Sequence, residues 1–92
     1  MGLRWYFEPD CDIKLSGRLA EAAMFLGYLT PSEEYPCCFT ENKATFTRAQ
    51  VEQIVTLMCY EGFGILDHLD LVKVGVLTKW LRDSHESEIT FI

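Results

Sequence analysis

Residues 47–58 constrain the fold of this chain most strongly. Thr47 and Gln50 match the capping-box pattern, in which a hydroxyl and an amide side chain satisfy backbone N–H groups at the start of a helix. The apolar residues behind this cap recur at helical spacing, at Val51, Ile54, Val55 and Met58. A short helix with one apolar stripe is stable only when another element covers the stripe. The sequence therefore predicts a packed helix that stops at Gly62 or Gly64.

Segments rich in β-forming residues lie on both sides of this helix. Residues 35–47 predict a β-hairpin around a turn at 41–43. Residues 3–8 and 88–92 have the aromatic and β-branched character of strands. We expect these two terminal strands to pair with each other, because such pairing holds both chain ends.

Residues 16–29 predict a second helix, with Ser16 as its N-cap. Its buried stripe is expected at Leu19, Ala22, Ala23, Leu26 and Leu29. Phe25 and Tyr28 continue the opposite, charged face. The segment after Pro31 is therefore expected to fold over them; the alternative is that they form an exposed contact patch.

The stretch 65–84 supports two interpretations. The alternation of Val72, Val74 and Val76 with polar residues is typical of a strand. The length of the stretch and a cap at Asp67 or Asp70 favour a helix, which is the prediction adopted here. Its stripe is expected at Leu69, Val72, Val76 and Trp80, with Gly75 as the weak point.

These elements predict one α+β domain over residues 1–92. About three helices pack on a small antiparallel sheet made of the N-terminal strand, the central hairpin and the C-terminal strand. At 92 residues and 49% apolar composition, the chain is long enough to bury roughly 60–65% of its unfolded surface.

The acidic residues are concentrated in predicted loops and strand ends. The chain has 14 acidic and 8 basic residues, a net charge of −6. Three stretches without Lys or Arg hold most of the acids: Glu8, Asp10 and Asp12; Glu33, Glu34 and Glu41; Asp83, Glu86 and Glu88. This balance argues against binding to anionic lipid or to a phosphate backbone. It creates a surface potential that a basic partner recognises.

Cysteine and histidine patterns do not indicate a site. The four cysteines are predicted to be reduced thiols of an intracellular protein, since no secretory signal precedes them. No pair has zinc-knuckle spacing, although a distributed zinc site of Cys11, Cys37 or Cys38 with His85 stays open as an alternative. Acidic neighbours around Cys37 and Cys38 disfavour a reactive thiolate. We expect no catalytic residue, no cofactor and no metal.

Membrane and DNA binding are also not expected. No apolar run approaches the ~20 residues needed to span a bilayer. A helix-turn-helix drawn through residues 47–82 would present Leu, Val and Asp where a DNA reader offers Arg, Asn or Gln. The predicted location is the cytoplasm.

The function expected from these patterns is non-enzymatic: binding, and inhibition or regulation, of a protein partner with a basic surface. Acidic loops orient such an encounter, and exposed aromatic side chains anchor it. The expected contact residues are Glu8, Asp10, Asp12, Tyr28, Glu33, Glu34, Tyr35, Glu86 and Glu88.

In size, acidic charge and lack of catalytic groups, the chain resembles small phage-encoded inhibitors of bacterial defence systems, including anti-CRISPR proteins. The resemblance covers no alignable stretch and assigns no residue. It implies a viral protein that acts in the host cytoplasm on a partner that handles nucleic acid. Two alternatives stay open. One is a thiol-dependent enzyme or redox protein using Cys37 or Cys38 with a histidine. The other is a homo-oligomeric accessory or structural subunit, such as a homodimer.

Overall fold

Three helices and two strands make up the described part of the computed structural model, which covers residues 15, 17–34 and 44–91. The helices are α1 (Gly17–Phe25), α2 (Arg48–Met58) and α3 (His68–Asp83), with a short 3₁₀ helix at Glu61–Phe63 between α2 and α3. The strands are β1 (Ala44–Thr47) and β2 (Glu88–Phe91). The predicted α+β class, with three helices on a small antiparallel sheet, is confirmed.

The strands β1 and β2 pair antiparallel, with Ala44 opposite Phe91 and Thr47 opposite Glu88. Side chains alternate between the two faces of the sheet. On the inner face, the rings of Phe46 and Phe91 lie 5.8 Å apart in the core. The second strand of the predicted hairpin and the predicted C-terminal strand therefore form the sheet. The predicted strand 3–8 and the first hairpin strand lie outside the described residues.

Helix α2 begins as the sequence predicts. The backbone N–H of Gln50 donates to Thr47 Oγ1 (3.3 Å), and the backbone N–H of Thr47 donates to Gln50 Oε1 (2.9 Å). The predicted stop at Gly62 or Gly64 is wrong, because α2 already ends at Met58. Tyr60 adopts an extended backbone that the helix cannot continue through.

Helix α1 ends before the predicted boundary at residue 29 because of Gly27. This glycine adopts a left-handed backbone (φ +84°). The Gly27 N–H donates to the carbonyl of Met24 (3.0 Å), and the Tyr28 N–H donates to that of Ala23 (2.8 Å). These two bonds are a Schellman motif, which closes a helix at a glycine. Within the predicted stripe, Leu26 is half-buried and the other four residues are buried; the predicted cap Ser16 lies outside the described residues.

Helix α3 confirms the helical interpretation of residues 65–84, but its buried stripe differs from the prediction. The buried residues are Asp70, Lys73, Leu77 and Trp80. Leu69 is 66% exposed, and Val72 and Val76 are half-buried at the edge of the core. Compared with the prediction, α3 turns a different face toward the core, because Asp70 binds the start of α1. Its Oδ1 accepts a hydrogen bond from the backbone N–H of Arg18 (3.2 Å).

Gly75 lies on the exposed side of α3. A Cβ built there meets no atom within 4 Å. Glycine costs roughly 0.5–1 kcal/mol relative to alanine inside a helix, because it loses more backbone entropy on folding. Gly75→Ala is therefore expected to raise the free energy of unfolding by about that amount, measured in urea. A decrease would show that the glycine serves a contact on this face.

No helix in the described part of the chain is long and apolar enough to cross a membrane.

Candidate protein-binding surface

Arg48, the first residue of α2, closes the end of α3. Its guanidinium donates to the backbone carbonyls of Ser84 (3.1 Å), Glu86 (3.1 Å) and Leu81. The same group lies 4.9 Å from the centroid of the Trp80 ring. Carbonyls at a helix C-terminus carry partial negative charge, so a cation there is stabilising. The positive charge of Arg48 therefore stabilises contacts within the fold.

Two further cations, Arg18 on α1 and Lys73 on α3, also lie close to other residues of the fold. Arg18 Nη1 lies 2.7 Å from Glu21 Oε2, and its guanidinium lies 5.5 Å from the centroid of the Phe63 ring. Lys73 is buried beside the start of α1, where a Cβ added to Gly17 would lie 3.7 Å from its Nζ. Neither cation is among the exposed residues of the described part.

The acidic residues have the opposite distribution. Nine of the ten acids in the described part are exposed, whereas two of its five basic residues, Lys79 and Arg82, are exposed. Arg82 is paired with Asp83 through two contacts of 3.0 and 3.3 Å, and this partner lowers the pKa of the Asp83 carboxyl. Over the described residues, the outer surface is therefore more acidic than the inner packing.

The predicted acidic contact residues have different surroundings. Glu33 and Glu34 are exposed and form no ion pair with another described residue. Glu86 and Glu88 are also exposed. This last stretch contains no Lys or Arg, but Arg48, from a distant part of the chain, donates to the backbone carbonyl of Glu86. The other predicted acids, Glu8, Asp10, Asp12 and Glu41, lie outside the described residues.

Phe25 and Tyr28, the two aromatic residues predicted on the charged face of residues 16–29, differ in burial. Tyr28 is half-buried: its ring centroid lies 6.3 Å from that of Phe46, and its hydroxyl donates to Gln53 Oε1. Phe25 remains 76% exposed, so the expected cover by the segment after Pro31 is wrong for this residue. Tyr35, the other predicted anchor, lies outside the described residues.

An apolar groove runs along α2 and was not predicted. It has a volume of about 510 Å³ and is lined by Leu26, Glu52, Gln53, Thr56, Leu57 and Tyr60. Leu57 lies outside the main buried stripe of α2, at helical spacing from Gln53 and Tyr60. That second, weaker stripe is the signal in the sequence that could have revealed the groove.

The described thiol and imidazole groups are all at the surface. Cys59 is a free, exposed thiol, and His68 and His85 are exposed. In the described ranges, no three His, Cys, Asp or Glu side chains converge on a metal-binding position. The alternatives that use Cys11, Cys37 or Cys38 involve cysteines outside those ranges.

Comparison with protein-family models, with curated proteins and with solved structures gives no match.

Proposed function

We propose that the protein is a non-enzymatic binding protein that inhibits or regulates a partner with a basic surface. The observation that supports this function is an uneven distribution of charge: in the described part, nine of the ten acids are exposed, whereas three of the five cations contact other residues of the fold and are not exposed. Such an arrangement costs self-repulsion and gives a negative outer potential. That potential accelerates and orients encounter with a positively charged surface.

The specific form of this proposal is an inhibitor of a nucleic-acid-handling protein, of the phage anti-defence type. Channels that hold nucleic acid are lined with Lys and Arg that contact phosphates. Exposed carboxylates on Glu33, Glu34, Glu86 and Glu88 offer such a channel negative charge in place of phosphate. Binding there would exclude the nucleic acid by competition.

The test is affinity purification from the native host with the unaltered protein and two charge-reversed variants, followed by mass spectrometry. The variants are Glu33→Lys with Glu34→Lys, and Glu86→Lys with Glu88→Lys. We expect the unaltered protein to enrich a basic partner and both variants to lose most of it, while circular dichroism shows unchanged folding. Glu61→Lys is the matched control, because Glu61 is also exposed but lies outside the acidic stretches and does not line the groove.

Two other results would contradict the proposal. Equal capture by the unaltered protein and both variants would remove the acidic stretches from the function. Recovery of the chain itself as the main partner would point to a homo-oligomer instead.

A further inference from the structure

We infer that the groove along α2 is a docking site for an apolar side chain that the partner presents between Lys or Arg residues, as a basic amphipathic helix does. This inference rests on the proposed function, because it takes the partner to be basic. It adds the site and the chemistry of the contact, which the acidic stretches alone do not supply.

The groove has the composition of an anchor site. Leu26 follows α1 and Leu57 lies on α2, and both are half-buried against the core. Tyr60, just beyond α2, is 64% exposed and lines the same groove. A volume of about 510 Å³ lies within the range of cavities that hold ligands and is ample for one leucine or phenylalanine side chain.

The wall of the groove is fixed by contacts within the fold. The Tyr28 hydroxyl donates to Gln53 Oε1, and the Tyr28 ring packs near Phe46 in the core. The Schellman turn at Gly27 fixes the path of the chain between Leu26 and Tyr28. A groove held in this way loses little entropy when it is filled, which favours binding.

The charge around the groove selects the occupant. Among the described residues that line it, Glu52 is the only charged one. Neither of the exposed cations of the described part, Lys79 and Arg82, belongs to the lining. An apolar lining that carries a carboxylate complements an apolar anchor flanked by cations, the pattern of a basic amphipathic helix.

The test is an NMR titration of the full chain with a short amphipathic helical peptide of leucine and lysine. A peptide with glutamate in place of every lysine is the control for charge. We expect the leucine–lysine peptide to shift the resonances of Leu26, Gln53, Thr56, Leu57 and Tyr60, and the glutamate peptide to shift none of them. Binding should weaken as salt rises.

Three variants locate the contact. Tyr60→Ala should weaken binding of the leucine–lysine peptide about tenfold or more, as expected when an aromatic contact residue is removed. Thr56→Arg, at an exposed position of the groove, should block it by size and charge. Leu71→Ala is the matched control, since Leu71 is an exposed apolar residue on α3 that does not line the groove, and it should bind normally.

The remaining outcomes overturn the inference in distinguishable ways. Shifts confined to Glu33, Glu34, Glu86 and Glu88 would remove the groove and leave the proposed function intact. Equal binding of the glutamate peptide would show that the occupant is not basic. Self-association that Thr56→Arg abolishes would make a second copy of the chain the occupant. Unchanged affinity in folded Tyr60→Ala and Thr56→Arg proteins would contradict docking in the groove.

Discussion

Replacing Asp70 by alanine is expected to lower the free energy of unfolding by about 2–4 kcal/mol. Asp70 is 4% exposed, and its carboxylate accepts the Arg18 N–H at the start of α1 (3.2 Å) and the Asp67 N–H at the start of α3 (3.2 Å). Alanine removes both acceptors at once. A buried donor left without a partner costs about 1–3 kcal/mol. Urea unfolding followed by circular dichroism measures the loss.

Two asparagine variants provide the controls. Asp70→Asn keeps one carbonyl oxygen and should therefore lose about half as much stability as Asp70→Ala, since its NH₂ group cannot accept. Asp67→Asn should lose much less stability than Asp70→Ala at pH 7, because asparagine caps helices about as well as aspartate and only the contribution of the charge is removed. Equal losses in Asp67→Asn and Asp70→Ala would contradict the assignment of Asp70 as a cap shared by two helices.

The carboxyl group of Asp67 also makes the stability of the fold depend on pH in the acidic range. The Asp70 backbone N–H donates to its carboxylate and lowers its pKa below the usual 3.8. The stabilisation from this lowered pKa is fully present above pH 3.8 and is lost as the pH falls through the lower value in the folded state. Asp67→Asn should therefore reduce the loss of stability in that acidic range.

Replacing Trp80 by alanine is expected to destabilise the protein by about 3–5 kcal/mol. Trp80 is 1% exposed and is one of the largest fully buried side chains of the described part. Its ring also supports the guanidinium of Arg48, which holds the end of α3 through carbonyl contacts. A domain of this size has about 5–14 kcal/mol in total, so the variant should be partly unfolded at 37 °C.

Trp80→Phe separates packing from the contact with Arg48. Phenylalanine keeps an aromatic face for the guanidinium and most of the buried area, so its loss should be smaller than that of alanine. Thermal unfolding of both variants against the unaltered chain gives the comparison. An alanine variant that loses less than about 1 kcal/mol would contradict the central position of Trp80 in the core.

Local signals predicted the elements, and contacts between distant residues set their orientation. The Thr47–Gln50 capping box acts over three residues and was readable from the sequence. The rotation of α3 was not, because Asp70 and Lys73 are buried by α1, about 50 residues earlier. A pattern of apolar residues cannot place a charged side chain inside when its partner lies so far away.

The candidate surface was likewise predictable where it depends on single residues, and not where it depends on contacts between distant residues. Exposure of Glu33, Glu34, Glu86 and Glu88 follows from their charge and was predicted. The position of Arg48 beside the last acidic stretch was not, since its contacts join residues 36 and 38 positions apart. The groove arises only when Leu26 meets α2, so no single segment encodes it.

The most direct test of the central claim is the salt dependence of the association rate between this protein and the partner recovered from its host. If acidic loops steer the encounter, the rate falls steeply as ionic strength rises, and reversing Glu33 and Glu34 or Glu86 and Glu88 slows association and flattens that dependence. Rates and salt slopes that are the same for the unaltered protein and for both reversed variants would contradict it.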